Sequence, residues 1–182
     1  LAYATLAVGI IGFAMMRGID AAFAMAGQWI VDMGMNYGLT VIPLFVLMGA
    51  LIHRAGISAE LYEASYAWTG RLRGGLAHST VIACAGFSAV CGSSLATAAT
   101  MSRVAMPPMR RYGYDDRLST GTLAAGGTLG ILIPPSVPMA IYGIVANEDI
   151  GKLFIAGVLP GLLMVAAFMA AILLVTSVKP AL

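Results

Sequence analysis

CGSSLATAAT, residues 91–100, sets a glycine and several hydroxyls in the middle of a chain that otherwise reads as oil. The whole chain is 60% hydrophobic and 10% charged, with mean hydropathy +0.91. Soluble domains carry about 25% charged residues, so the composition points to a bilayer, where apolar faces can meet lipid. A net charge of +2, without basic blocks interleaved with aromatics, excludes a nucleic-acid partner. Cys84 and Cys91 have no histidine or acidic neighbour at a metal-ligand spacing. They read as two buried thiols behaving as small hydrophobes.

Charges on either side of the stretch decide how it lies. Arg54, Arg71 and Arg73 precede it, and Arg110, Arg111 and Arg117 follow it. Basic residues mark the cytoplasmic side, so the segment between the two clusters enters and leaves on one face. Its turn falls near Gly92-Ser93-Ser94. The first arm, residues 76–91, rises roughly 24 Å at 1.5 Å per residue, against a hydrocarbon core of about 30 Å. The expectation is a re-entrant hairpin, residues 75–111, with a polar tip at membrane depth. The alternative is two full spans with a short outside loop at Gly92. Arg103, in the second arm, either snorkels or faces a cavity.

A second interruption follows in GILIPPS, residues 130–136. Pro134 and Pro135 carry no backbone N–H and obstruct the preceding turn, so carbonyls around residues 128–132 should be freed. Residues 117–147 thus read as a broken membrane helix. Irregular backbone at membrane depth is tolerated only inside protein or beside a water-filled cavity. Freed carbonyls and small hydroxyls are hard oxygen ligands suited to Na⁺. Half-helix N-termini after Ser94 and after Pro135 offer free N–H groups and a positive dipole end to a carboxylate. Discontinuous helices serve coupling ions and anions in this way in secondary transporters. Gly126 and Gly130, and Gly157 and Gly161, are spaced for close helix packing, and packing alone is the competing reading of the small residues.

The remaining segments fall around this centre. Residues 1–38 read as a membrane helix with its beginning missing, ended by Arg17-Gly18-Ile19-Asp20, then a mixed run, residues 21–38, that is either a weak span or an interfacial helix. Residues 39–74 read as a short apolar helix followed by an amphipathic one, with Ser58 as N-cap, Glu60 in the first turn, and Tyr66 and Trp68 at headgroup level. Asp115-Asp116 caps a helix start beside three arginines. Asn147-Glu148-Asp149 is an external turn, and residues 148–182 form a following membrane helix that returns to Lys179. The chain begins at Leu1 within an apolar run that makes a poor signal peptide, which suggests a fragment.

Two other functions compete. An intramembrane serine enzyme would use Ser93 or Ser94 as nucleophile and needs a base within hydrogen-bond reach. The chain has two histidines, His53 and His78, and His78 lies roughly 20 Å from Ser93 along a helix. A purely structural membrane subunit would tolerate bulky apolar residues at the polar tip.

Four stretches carry a family resemblance: IPLFVLMGALIHRAGIS (residues 42–58), LRGGLAHSTV (72–81), GSSLATAATMSRVAMPPMRRYGYDDRLSTGTLAAGGTLGILIPPSVPMAIYG (92–143) and IGKLFIAGVLPGLL (150–163). They resemble the large membrane subunit of tripartite ATP-independent periplasmic (TRAP) transporters, the dicarboxylate-type M subunit. The resemblance implies an all-α polytopic protein of the bacterial inner membrane, built as an elevator-type transporter of two inverted repeats. Each repeat has a re-entrant hairpin and a broken helix, and the second repeat is missing here. It implies uptake of an organic acid, a C4-dicarboxylate or related carboxylate, driven by Na⁺ and without a further cofactor. It also implies two partners, a small TRAP membrane subunit and a periplasmic substrate-binding protein. Carried onto this chain, it places Na⁺ among Ser93, Ser94, Thr97, Thr128, Gly130 and Ile133. Gly92, Pro134 and Pro135 shape the breaks, and substrate approaches Ser94, Thr97 and Ser136.

Overall fold

A computed structural model describes residues 2–35 and 41–178. The start of the run expected from Leu39, and Lys179-Pro180 at the close, lie outside the described residues. Those described are all helix and turn, without strands.

The chain divides into two compact units. The first holds α1 (Ala2–Arg17) and α2 (Ile19–Met35), joined at Gly18, whose φ of 91° lets the chain turn between them. Tyr3, Met15, Trp29 and Ile30 stand exposed, and Ala22 is buried. Apolar side chains spread around both helices suit lipid better than water.

The second unit runs from α3 (Val41–Arg54) through α4 (Ile57–Thr69), α5 (Gly75–Cys91), α6 (Ser94–Arg111), α7 (Asp116–Leu132) and α8 (Val137–Ala146) to α9 (Ile150–Val178). The helix α5 is its core. Ala77, Val81, Cys84 and Phe87 are buried there, against Met101, Ala105 and Met109 of α6, Leu123 and Leu129 of α7, and Ile172 of α9. Buried residues, His78, Ser79, Thr80 and Ser88 included, lie around most of α5, so the helix is enclosed by its neighbours. Both cysteines are buried free thiols, as expected. The 29-residue α9 rises roughly 43 Å, ample for a span. Asp116–Ala146, which contains the break, is the other described stretch long and apolar enough to cross a membrane.

Helix starts follow local chemistry. The Asp115 carboxylate caps α7 by accepting the Arg117 N–H at 2.7 Å. Asp116 takes a bidentate bond from Arg110, Nε to Oδ1 at 2.9 Å and Nη2 to Oδ2 at 3.1 Å, which pins α6 to α7 across the joint. Asp149 accepts the N–H groups of Gly151 (2.8 Å) and Lys152 (3.2 Å) and so caps α9. Ser58 departs from expectation. The cap of α4 is Gly56, at φ 81°, and Ser58 is buried in the first turn. The left-handed turn open to glycine starts the helix two residues earlier.

The buried face of α4 is made of hydroxyls: Ser58, Tyr62, Ser65 and Thr69. Trp68 points out, 88% exposed. The Thr69 and Ser79 hydroxyls lie 2.9 Å apart, and each is also within bonding distance of a carbonyl one turn back, Ser65 for Thr69 and Gly75 for Ser79; one proton bridges the pair while the other goes to its carbonyl. This clasp fixes α4 to the base of α5. Replacing Thr69 with Val leaves Ser79 bonded to Gly75, so the expected loss is about 0.5–1.5 kcal/mol, measured by thermal unfolding of the detergent-solubilised protein.

Candidate functional site

The helices α5 and α6 form a hairpin whose base is closed by the Thr80 hydroxyl against Met109 Sδ at 3.7 Å. Its tip is two residues long. Gly92 ends α5 at φ 63° and donates its N–H to the Ser88 carbonyl at 3.0 Å. Ser93 caps α6, its Oγ accepting the Ala96 N–H at 3.4 Å. Ser94 is the first residue of α6.

At the second break, α7 ends at Ile133, whose N–H still reaches the Leu129 carbonyl at 2.8 Å. The freed carbonyls are therefore fewer than the sequence suggests. The donors that Pro134 and Pro135 cannot supply are those for Gly130 and Ile131. The Ser136 hydroxyl donates to the Ile131 carbonyl at 2.7 Å and accepts the Met139 N–H at 3.5 Å, capping α8. The carbonyl of Gly130 keeps no helical donor of its own.

The two breaks meet. The Val137 N–H, at the start of α8, donates to the Gly92 carbonyl at 3.2 Å. A Cβ on Gly92 would stand 2.5 Å from the Pro135 carbonyl oxygen. A Cβ on Gly130 would stand 2.7 Å from the Ser93 carbonyl and 2.8 Å from the Ser94 nitrogen. Only glycine permits either approach. On the far side the break rests on α9. A Cβ on Gly157 would lie 2.9 Å from the Leu132 carbonyl, and one on Gly161 2.9 Å from Ile133 Cγ1. Irregular backbone is thus walled by protein on both sides, as a low-dielectric surrounding demands.

The expected residues separate by geometry. Gly92, Ser93, Ser94, Gly130 and Pro135 come together at the junction. Thr97 is fully buried in the first turn of α6, and its hydroxyl meets no hydrogen-bond partner; the Cys91 thiol lies beside it without good bonding geometry. Ile133 forms the end of α7 and packs on Gly161, while Pro134 continues the break through a cis peptide bond to Pro135. Thr128 stands apart. It is exposed and its hydroxyl donates to the Ala125 carbonyl of its own helix at 2.6 Å. Ser136 is fully buried with its hydroxyl spent on the break. Arg103 is exposed on the second arm.

Two participants in the junction carry no side-chain signal in the sequence, since the Val137 N–H and the Gly92 carbonyl are backbone groups. Ser88 sits one turn before the tip, fully buried, with an unpartnered hydroxyl; its helical spacing from Cys84 and Cys91 was the available clue. A cavity of ≈ 230 Å³ opens beside the tip, lined by Ser93, Thr100, Phe87 and Val137 among others. Among the described residues no group of three or more histidine, cysteine and acidic side chains could hold a metal.

Comparison with known proteins gives this junction a family. The profile described as "Tripartite ATP-independent periplasmic transporter, DctM component" matches residues 1–181. The C4-dicarboxylate TRAP transporter large permease protein DctM of Pseudomonas aeruginosa is 44% identical over 144 residues, covering 79% of this chain and 34% of that protein. The sialic acid TRAP transporter permease protein SiaT of Haemophilus influenzae is 39% identical over 74% of this chain and 22% of its own length. The ectoine TRAP transporter large permease protein TeaC of Halomonas elongata is 36% identical over 87% of this chain and 37% of its own. The chain spans about a third of the length of such large permeases. It belongs to the DctM component family of tripartite ATP-independent periplasmic transporters, and two of its described stretches are long and apolar enough to cross a membrane.

Proposed function

We propose that this chain is part of the large permease subunit of a TRAP transporter that takes up an organic acid, a C4-dicarboxylate or related carboxylate, with Na⁺. A periplasmic binding protein delivers the substrate and a small membrane subunit braces the permease. Residues 75–147 act as one elevator-type repeat, in which the α5–α6 hairpin is re-entrant and residues 117–147 are its broken helix. The observation that carries this reading is the bond from Val137 N–H to the Gly92 carbonyl, which ties two helix breaks into one polar junction. Transporters place coupling ion and substrate at such discontinuities.

Na⁺ sits among oxygen atoms at the junction, from Ser93, Ser94 and Thr97 on the tip and from the Gly130 and Ile133 backbone. Thr128, expected among the ligands, is exposed and its hydroxyl donates within α7, so the proposed site is built on the residues that meet at the junction. The start of α6 faces the substrate carboxylate, where free N–H groups and the helix dipole favour an anion. Ser94 and Thr97 orient it, and Ser136 acts by holding the break in shape. Elevator motion carries the hairpin and broken helix together, since Gly130 and Val137 lock them to each other. An intramembrane serine enzyme gains nothing from this geometry. His78 is buried in the first turn of α5, at the opposite end of that helix from Ser93.

The test is Ser94→Leu in the full-length protein, reconstituted with its partners. Na⁺-dependent uptake is expected to fall at least about a hundredfold, as for removal of a group that positions charge, while membrane insertion and yield stay normal. Uptake at the wild-type rate removes the tip from the mechanism and returns the chain to a structural role.

A further inference from the structure

We propose that the groove between α7 and α9 binds one acyl chain of an anionic phospholipid, with the lipid phosphate held at Arg117. The groove measures ≈ 400 Å³ and is almost wholly apolar. Val81 of α5 and Ile172 of α9 form its buried floor, while Gly121 of α7 and Val175 of α9 stand exposed at its edges. Its polar residues include Asp115 and Arg117, where α7 begins. The groove therefore has an oily body and a charged mouth, the two-part chemistry of a phospholipid.

The sign of the mouth selects the lipid. The Arg110 guanidinium is occupied by Asp116. The Asp115 carboxylate is turned to the Arg117 backbone N–H as a helix cap. Among the described residues the Arg117 guanidinium has no ion-pair partner. The turn bearing Arg71 and Arg73 lies at the same end, because a Cβ on the adjoining Gly74 would stand 2.9 Å from Thr176 Cγ2 and 3.2 Å from Ile172 Cγ2. All three arginines are exposed. Three arginines against the single Asp115 carboxylate leave the mouth of this apolar slot net positive, which favours an anionic headgroup over a zwitterionic one. A segment of protein seated there would have to bring its own carboxylates to that mouth.

Gly121 supplies the probe. Nothing lies within 4 Å of a Cβ built on it, so Gly121→Phe starts from open space and sets a ring in the groove that Gly121 lines. The full-length protein is placed in nanodiscs of equal phosphatidylglycerol and phosphatidylcholine, then released for native mass spectrometry. The wild type is expected to retain one phosphatidylglycerol, with a preference of about fivefold or more over phosphatidylcholine. Arg117→Gln is expected to keep a lipid but lose the preference. Gly121→Phe is expected to lose the retained lipid. A wild type that retains no phosphatidylglycerol overturns the proposal, since protein then covers the groove. Retention and preference unchanged in both variants also overturn it, since the lipid then sits elsewhere. The readout involves no transport, so failure here leaves the uptake mechanism standing.

Discussion

Gly130→Ala is expected to abolish Na⁺-dependent uptake and to lower the stability of the full-length permease by about 1–3 kcal/mol, the range for an overpacked site. The added methyl would meet the Ser93 carbonyl carbon and oxygen at 2.7 Å and the Ser94 nitrogen at 2.8 Å. These are backbone atoms, and they cannot rotate away as a flexible side chain would. Either α7 shifts, or the hairpin tip lifts from the broken helix and strains the bond between Val137 and Gly92. Thermal unfolding in detergent reads the loss of stability, and Na⁺-driven uptake into proteoliposomes reads the loss of transport. Wild-type uptake in a stably folded Gly130→Ala protein would show that the tip and the break work independently. In an isolated helix the same substitution favours the helix by about 1 kcal/mol. A net loss therefore reports the tertiary contact and not local propensity.

Thr97→Val should separate function from stability by moving them in opposite directions. The Thr97 hydroxyl is buried without a hydrogen-bond partner, and an unsatisfied buried polar group costs about 1–3 kcal/mol. Valine has nearly the same shape and removes that cost. A residue kept for folding alone would be better as valine. If the hydroxyl is held ready for Na⁺, the Val variant melts at the wild-type temperature or above, while the Na⁺ concentration for half-maximal uptake rises about tenfold or more. That factor corresponds to losing about 1.4 kcal/mol of ion binding. Unchanged Na⁺ dependence would take Thr97 out of the ion site and leave its buried hydroxyl to another purpose. Ser88, also buried and unpartnered one turn before the tip, is the natural second position for the same comparison.

Much of the architecture was written in apolar runs and their punctuation. The first arm expected over residues 76–91 is α5, Gly75–Cys91. The turn at Gly92-Ser93 and the break at Pro134-Pro135 lie where a left-handed glycine and two missing N–H groups demand them. Asp115 caps α7 as its position beside the arginines suggested. These features are local, since each depends on what a residue can do with its own backbone. Ser58 shows where local reading fails. It is a good capping residue in isolation, but Gly56 two positions earlier accepts the turn that starts the helix.

The same limit applied to the candidate site. Ser93, Ser94, Thr97 and Thr128 looked equivalent as hydroxyls near breaks, yet the fold buries Thr97 completely and turns Thr128 outward to its own helix. A hydroxyl's direction is set by which face of its helix meets a neighbour, and that neighbour is distant in sequence. The spacing of Gly157 and Gly161 promised a close contact without naming the partner, which is the broken strand of backbone at Leu132 and Ile133.

By itself, then, the sequence determined that the chain is helical, belongs in lipid, turns at Gly92 and breaks at Pro134-Pro135, because hydropathy, φ and the absence of an N–H are properties of single residues. The tertiary structure alone decided that the turn and the break are one place. The Gly92 carbonyl and the Val137 N–H lie far apart along the chain, and backbone groups carry no sequence signature. Only packing α5, α6, α7 and α9 around small residues brings them within bonding distance.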